Sequence, residues 1–264
     1  MKIAIIGAGN LGLAIAKGVL HSNGATTMYL TKRNTSEIKD FEKYGNVTVT
    51  PNNTEAVKNS DILIFAVQPG HLEAILYDVK DLLTENHVIM SVATGFSIKR
   101  MESIIGDDKH IIRSMPNTAI SVGKSMTCIC GNGLGKKRID VAKAIFNRVG
   151  HSLEIPEEQM QAATVICASG IAFWMRLIRA TTQGAIQLGF EAKEAMELAK
   201  HTAMGAASLL IESGNHPEEE IDRVTTPKGC TIEGLNEMEH QGLSSSLIQG
   251  IVASFKKINE IKKS

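Results

Sequence analysis

The chain has 264 residues, 43% hydrophobic and 21% charged, and its 28 basic and 28 acidic side chains cancel. That size favours one large or two modest domains with a real core, and zero net charge argues against a protein held to nucleic acid by bulk charge, which carries a basic excess. Cys128, Cys130, Cys167 and Cys230 form neither a CxxC pair nor a cluster with zinc-ligand spacing, so they read as reduced thiols of a cytosolic protein with no metal site.

The opening MKIAIIGAGNLG is apolar, but glycines break it and no cleavage-like site follows, so it does not read as a signal peptide. No run reaches the roughly 18 consecutive apolar residues of a membrane span. The expectation is a cytoplasmic protein without membrane association.

In chain order, residues 2–7 predict a fully buried strand, continuous rather than alternating, as a parallel sheet requires. A helix over 10–21 follows, with Leu11, Ile15, Val19 and Leu20 along one face. Strands are predicted at 27–31, 47–50, 61–67, 87–93 and 110–115, with helices near 71–83 and 97–105. Strand-like runs at 124–130 and 151–155 flank a helix near 135–148. Strands separated by helices predict right-handed βαβ units and a parallel sheet covered on both faces.

The character changes at Pro156-Glu157-Glu158, where an early proline and acids in the first turn signal a helix start. Only helices are predicted beyond it: 157–168, 171–189, 191–212, 229–241 and 244–261. The last carries a stripe of Leu247, Ile248, Ile251, Val252, Phe255, Ile258 and Ile261. Segment 171–189 is apolar on several sides, so it is buried deeply or packs against another subunit, and Trp174 belongs to that packing. The predicted fold is α/β: a Rossmann-type parallel-sheet domain over 1–156 followed by an all-helical domain over 157–264.

GAGNLG at 7–12 fits the dinucleotide fingerprint and stands in its confirming context, after a strand and opening a helix. Gly7 permits the tight turn, Gly9 lets backbone approach a pyrophosphate, and Gly12 lets helix and strand pack closely. The amides of Ala8, Asn10 and Leu11 complete the anion-binding turn. At the end of the second strand, where NAD sites usually place an acid, the sequence reads LTKRNTSE. Glu37 comes late, whereas Thr31, Lys32, Arg33 and Asn34 offer donors suited to a 2′-phosphate, which favours NADP(H) over NAD(H). Three further loops, Ala66-Val67-Gln68-Pro69, Ala93-Thr94 and the one bearing Asn117, end strands at the sheet edge where such folds bind ligands.

Neither an HExxH nor a P-loop is present, and the eight histidines are scattered. A nicotinamide supplies its own hydride, so such a protein need mainly position and polarise the acceptor. An activated acceptor such as a protonated imine tolerates the lack of a general base.

Nearly the whole chain resembles pyrroline-5-carboxylate reductases. The resemblance is carried by IAIIGAGNLGLAIAKGVL, VTPNNTEAVKNSDILIFAVQP, SVATGFSIKRME, RSMPNTAI, SGIAF and above all VTTPKGCTIEGLNEME. It implies that Asn53 lies near the adenosine and that the helical domain interleaves with its copy in at least a homodimer. It also implies that the late loop binds the carboxylate of a cyclic imine through Arg223, Thr226, Gly229, Cys230 and Thr231. Thr231 would be the catalytic residue, hydrogen-bonded to the ring nitrogen. The implied activity is NAD(P)H-dependent reduction of 1-pyrroline-5-carboxylate to L-proline, with no nucleic-acid or membrane partner. The chain departs from the family pattern at Lys228 (usually glycine), Cys230, Ala119, Ile171 and Arg179. Lys228 reads as a solvated loop lysine at ordinary φ, with a cation aimed at a carboxylate or phosphate as the alternative. The competing functions are an NADP-dependent reductase of another imine or keto acid, and a non-catalytic NADP-binding sensor or scaffold. Hydroxyacid dehydrogenases of similar architecture use a lysine in the long helix, and 171–189 has only Arg176 and Arg179.

Overall fold

The computed structural model of the chain describes residues 1–22 and 24–261, and of Ile261 the backbone alone. The side chain of Ile261, last of the predicted stripe, therefore lies outside the described residues. Two compact units form: one comprises Met1–Ala168 with the chain end from Ile258, the other Ser169–Lys257.

The first unit is built on strands β1 (Lys2–Ile6), β2 (Thr27–Thr31), β3 (Val47–Thr50), β4 (Ile62–Phe65), β5 (Val88–Ser91), β6 (His110–Met115), β7 (Ser125–Gly131) and β8 (Gly150–Glu154), in the order β3-β2-β1-β4-β5-β6-β7-β8. Its helices are α1 (Asn10–His21), α2 (Asn53–Lys58), α3 (Pro69–Val79), α4 (Ile98–Ile105), α5 (Ile139–Phe146) and the short α6 (Met160–Ala163). The central strands β1, β4 and β5 are buried on both faces, yet each alternates between two cores. Ile3, Ile5, Ile62, Ile64, Val88 and Met90 join Ile15 and Val19 on one face. Ala4, Ile6, Leu63, Phe65 and Ile89 join Leu72 and Leu76 on the other.

One expectation about the sheet is corrected. It is parallel except at β6–β7, which run antiparallel, with Met115 opposite Cys128. The connection 116–124 holds only a 3₁₀ turn, Thr118–Val122, too little for the helical crossover that parallel neighbours need. The predicted strand end at Pro69 also moves: β4 stops at Phe65, and Pro69 is the first residue of α3, where its missing N–H costs nothing.

The units part at Ala168/Ser169 rather than at the compositional break after Pro156. Met160 is fully buried against the sheet, with Ile155, Ala163 and Cys167 packed beside it, so the start of the helical run belongs to the sheet unit. A single π-turn, Thr164–Ser169, marks the boundary.

The second unit holds α7 (Gly170–Gln187), α8 (Ala192–Ser213), α9 (Pro217–Val224), α10 (Cys230–His240) and most of α11 (Leu243–Ile261). Its side chains are poorly covered: in α7 and α8 only Gly170, Thr182, Ala195 and Ala199 are buried. Trp174 is 63% and Met175 62% exposed, and Met204, Leu209, Ile211 and Ile248 are exposed as well. Of the two sequence-based options for segment 171–189, deep burial within the chain is therefore ruled out. The run Glu157–Gln187 is also long and apolar enough, by length and composition, to cross a membrane. Counting consecutive apolar residues hid this, because Thr164, Ser169 and Gly170 interrupt the run without making it polar.

Candidate active site

The fingerprint turn is held by backbone. The amide of Ala8 donates to the Thr31 carbonyl at 2.7 Å and that of Gly9 to the Gly7 carbonyl at 2.8 Å. Gly7 has φ +93°, and a Cβ there would lie 2.4 Å from Val67 Cγ1. At Gly12 a Cβ would meet the Gly7 carbonyl at 2.6 Å, so helix and strand touch there as the motif requires. Gly9 has open space where a Cβ would point. None of the described residues accepts from the amides of Asn10, Leu11 and Gly12 at the start of α1. Free donors at a helix N-terminus and a cradle that one methyl would fill fit a pyrophosphate.

This cradle opens into a cavity of about 620 Å³. Among the predicted residues, Gly7, Ala8, Gly9, Thr31, Arg33, Asn34, Asn53, Ala66, Val67 and Gln68 line it. Asn10, Leu11, Gly12, Pro69, Ala93, Thr94 and Asn117 do not. Leu11 packs toward the core and Ala93 is buried. Asn117 is buried with its carboxamide engaged: Nδ2 donates to the Cys167 carbonyl at 3.1 Å and Oδ1 accepts from the Ala119 amide at 3.0 Å. Sequence reading missed His71, Ala74 and Ile75, which face the cavity from α3. Their i, i+3, i+4 spacing after a helix-starting proline was the available signal.

The donors proposed for a 2′-phosphate are not equivalent. Thr31 is buried, and its Oγ1 accepts from the Gly7 amide at 3.2 Å. Asn34 caps the 3₁₀ helix Thr35–Tyr44, accepting from the Ser36 amide and donating to Glu37 at 3.1 Å. Lys32 is paired with Glu37 at 2.5 Å, and the lysine holds the Glu37 carboxyl below its ordinary range. Glu37, set aside as too late in sequence, lines the cavity because the 3₁₀ turn brings it back. Arg33 remains exposed and without a partner among the described residues.

The late loop joins α9 to α10. The Gly229 amide donates to the Thr226 carbonyl at 2.9 Å, closing a four-residue turn with Pro227 and Lys228 at its centre. Lys228 has φ +59°, the single positive φ outside glycine among the described residues. Proline followed by a positive φ defines a type II turn, whose third position favours glycine. The expectation of an ordinary φ at Lys228 is thus corrected. Restoring glycine there (Lys228→Gly) is expected to raise stability by about 1 kcal/mol, the cost of a left-handed L-residue. Chemical denaturation at fixed protein concentration reads it, and a loss of stability would instead mean that the lysine side chain makes contacts of value.

The closed turn also redistributes the predicted amides. Gly229 spends its N–H on the turn, and a Cβ on it would strike Thr226 Oγ1 at 2.4 Å. The amides with no acceptor among the described residues are those of Cys230, Thr231 and Ile232, the first three of α10. Thr231 is half-buried with its hydroxyl unpaired among the described residues, and Cys230 is exposed. Arg223, on α9, is paired with Glu220 at 2.9 Å. The cradle and this loop belong to different units.

The comparisons with known proteins bear on both units. Residues 157–261 match the family model described as pyrroline-5-carboxylate reductase dimerisation, and residues 2–95 match that described as NADP oxidoreductase coenzyme F420-dependent. The chain is 46% identical to pyrroline-5-carboxylate reductase 1 of Dictyostelium discoideum, over 96% of this chain but 48% of that protein, so it spans about half the length of that relative. It is 40% identical to pyrroline-5-carboxylate reductase 2 of the same organism, over 97% of this chain and 91% of that one. A solved pyrroline-5-carboxylate reductase from Coxiella burnetii superposes with a TM-score of 0.94 at 27% identity, covering 100% of this chain and 99% of the other.

Proposed function

The chain belongs to the pyrroline-5-carboxylate reductase family, and from that premise we propose that it reduces 1-pyrroline-5-carboxylate to L-proline, the last step of proline biosynthesis. The observation that carries this reading is the pair of prepared helix starts: one opening a dinucleotide cavity, the other presenting three free amides beside an unpaired hydroxyl. A nicotinamide cofactor supplies the hydride that adds to the imine carbon. The free Asn10–Gly12 amides would hold its pyrophosphate, and Arg33, Asn53 and the α3 residues that line the cavity would hold its nucleoside portion. The amides of Cys230, Thr231 and Ile232 take the substrate carboxylate, aided by the positive end of α10. Thr231 would hydrogen-bond to the ring nitrogen: the protonated imine brings the proton that stays on the amine, and the hydroxyl donates to the nitrogen lone pair that develops as hydride adds.

Oxidation of NADPH by purified enzyme with pyrroline-5-carboxylate tests the assignment. Folded protein that binds NADPH yet turns over neither this imine nor, in reverse, proline at high pH would favour the sensor or scaffold instead.

NADP(H) is preferred over NAD(H), a reading that rests on Arg33. Arg33→Ala is expected to lower kcat/KM for NADPH on the order of ten-fold, the worth of one charge-assisted bond, and to leave NADH nearly unchanged. Glu37→Gln frees Lys32 and is expected to shift preference further toward NADPH. Equal losses with both cofactors would remove Arg33 from discrimination.

The enzyme acts as a homodimer. The exposed apolar residues of α7, α8 and α11 are of the kind that mark an interaction surface, and they lie in the segment matched by the dimerisation model. A second copy, rather than a bilayer, is the occupant this reading gives to the long apolar helix. Four free thiols support a reducing compartment, the cytoplasm.

A further inference from the structure

Three of the four cysteines gather on one face of the sheet. Cys128 and Cys130 alternate with Ile129 along β7 and point to the face where Met160 and Cys167 pack. The sulfurs of Cys128 and Cys167 stand 3.9 Å apart, in contact but unbonded. Cys128 is buried in the strand, while Cys167 is half-exposed in the π-turn, so one of the two can be reached from outside. The peptide carbonyl of Cys167 accepts from the Asn117 side chain. Asn117 in turn caps the turn after β6, and Met115 on β6 lies opposite Cys128. The two sulfurs therefore close a circuit from β7 through the π-turn to the loop at the C-terminal edge of β6.

We propose that Cys128 and Cys167 are a redox-active pair, a modification site at which hydrogen peroxide closes a reversible disulfide that draws the π-turn against β7 and displaces the Asn117 anchor. Cys167 attacks one peroxide oxygen as the thiolate. The O–O bond breaks, hydroxide leaves and takes the thiol proton as water, and Cys167 becomes a sulfenic acid. Cys128 then attacks the Cys167 sulfur, and the sulfenic hydroxyl departs with the Cys128 proton as a second water. Two thiols lose two electrons and the peroxide gains them.

The division of labour follows from the surroundings. The two sulfurs share one S–H···S contact in which either can donate; donation from Cys128 lowers the Cys167 thiol and raises that of Cys128. Burial pushes the neighbouring Cys130 up to about 12, which leaves it inert. Cys167 is the accessible thiol and Cys128 the buried one, and an accessible attacking thiol beside a resolving thiol is the arrangement redox-sensing pairs use.

The test is peroxide treatment of the full-length protein, alkylation under denaturing conditions and peptide mass mapping, with activity followed in parallel. The expected result is a cross-linked peptide pair carrying residues 128 and 167, lighter by two hydrogens, with turnover reduced several-fold and both changes reversed by dithiothreitol. Cys167→Ser is expected to abolish the cross-link and keep its own turnover through the same treatment. In Cys128→Ala, Cys167 is expected to advance to sulfinic acid for want of a resolving thiol. Sulfinic acid at Cys167 of the unsubstituted protein without a cross-link would overturn the pairing, as would both thiols staying alkylatable while Cys230 oxidises. A bridged protein with undiminished turnover would overturn the coupling to Asn117.

Discussion

Replacing Thr231 by alanine is expected to lower kcat on the order of 100-fold, the usual cost of removing one donor aimed at the reacting centre. The residue is the second of α10, its amide is free, and its hydroxyl has no competing partner among the described residues. The hydroxyl is thus available to substrate without first breaking an internal bond. Its contribution grows as the imine nitrogen gains electron density, so the loss belongs in kcat rather than in KM. Binding of NADPH, read by its fluorescence, should not change. Thr231→Ser keeps the hydroxyl and is expected to recover most of the rate. A variant Thr231→Ala with normal kcat and raised KM would make the residue a substrate contact only.

The largest effect on stability is expected at Glu157. Arg113 points from β6 to the same face as Ile111 and Met115, and its side chain is 5% exposed. Glu157 Oε1 accepts from Arg113 Nη1 at 3.2 Å and from the Ile98 amide, at the start of α4, at 2.8 Å. Among the described residues Arg113 Nε has no partner and Glu157 is the one carboxylate paired with the guanidinium. Glu157→Ala leaves a buried cation uncompensated and a helix amide without an acceptor. The expected loss is about 3 kcal/mol, the low end for breaking a buried pair. The double variant with Arg113→Met removes the stranded charge and is expected to regain much of it. Urea unfolding at constant protein concentration measures both. A single-variant loss below about 0.5 kcal/mol, the range of ordinary surface changes, would show that water already screens the pair.

What was legible in the sequence was local and periodic. The strands of the first unit, the fingerprint and the long C-terminal helices are all written in spacing. The short helices α2 and α9 were not read, since six to eight mostly polar residues carry too few turns for a stripe. Asn52 with Glu55 three residues on, and His216-Pro217 followed by Glu218, Glu219 and Glu220, were the signals available there. The reversed direction of β7 was available from the shortness of 116–124 and was overlooked. Other features were beyond any sequence pattern. Glu157 meets Arg113 and Cys128 meets Cys167 because folding brings distant segments together, and one chain carries no mark of such pairs; Glu37 returns to Lys32 across a local 3₁₀ turn. The φ of Lys228 was hidden because lysine, unlike glycine or asparagine, gives no sign of a left-handed turn. Only the hydrogen bond from Gly229 to Thr226 shows that the turn persists without its usual glycine.

The sparse burial in α7 and α8 makes assembly a stage of folding rather than a step after it. In the proposed dimer two new chains must meet before either helical half is complete, so the yield of finished enzyme would depend on how often copies collide as well as on how fast each one folds. At low expression that encounter becomes the slow step. A damaged copy able to dock would then take a sound one out of service, and the harm would exceed its share of the chains.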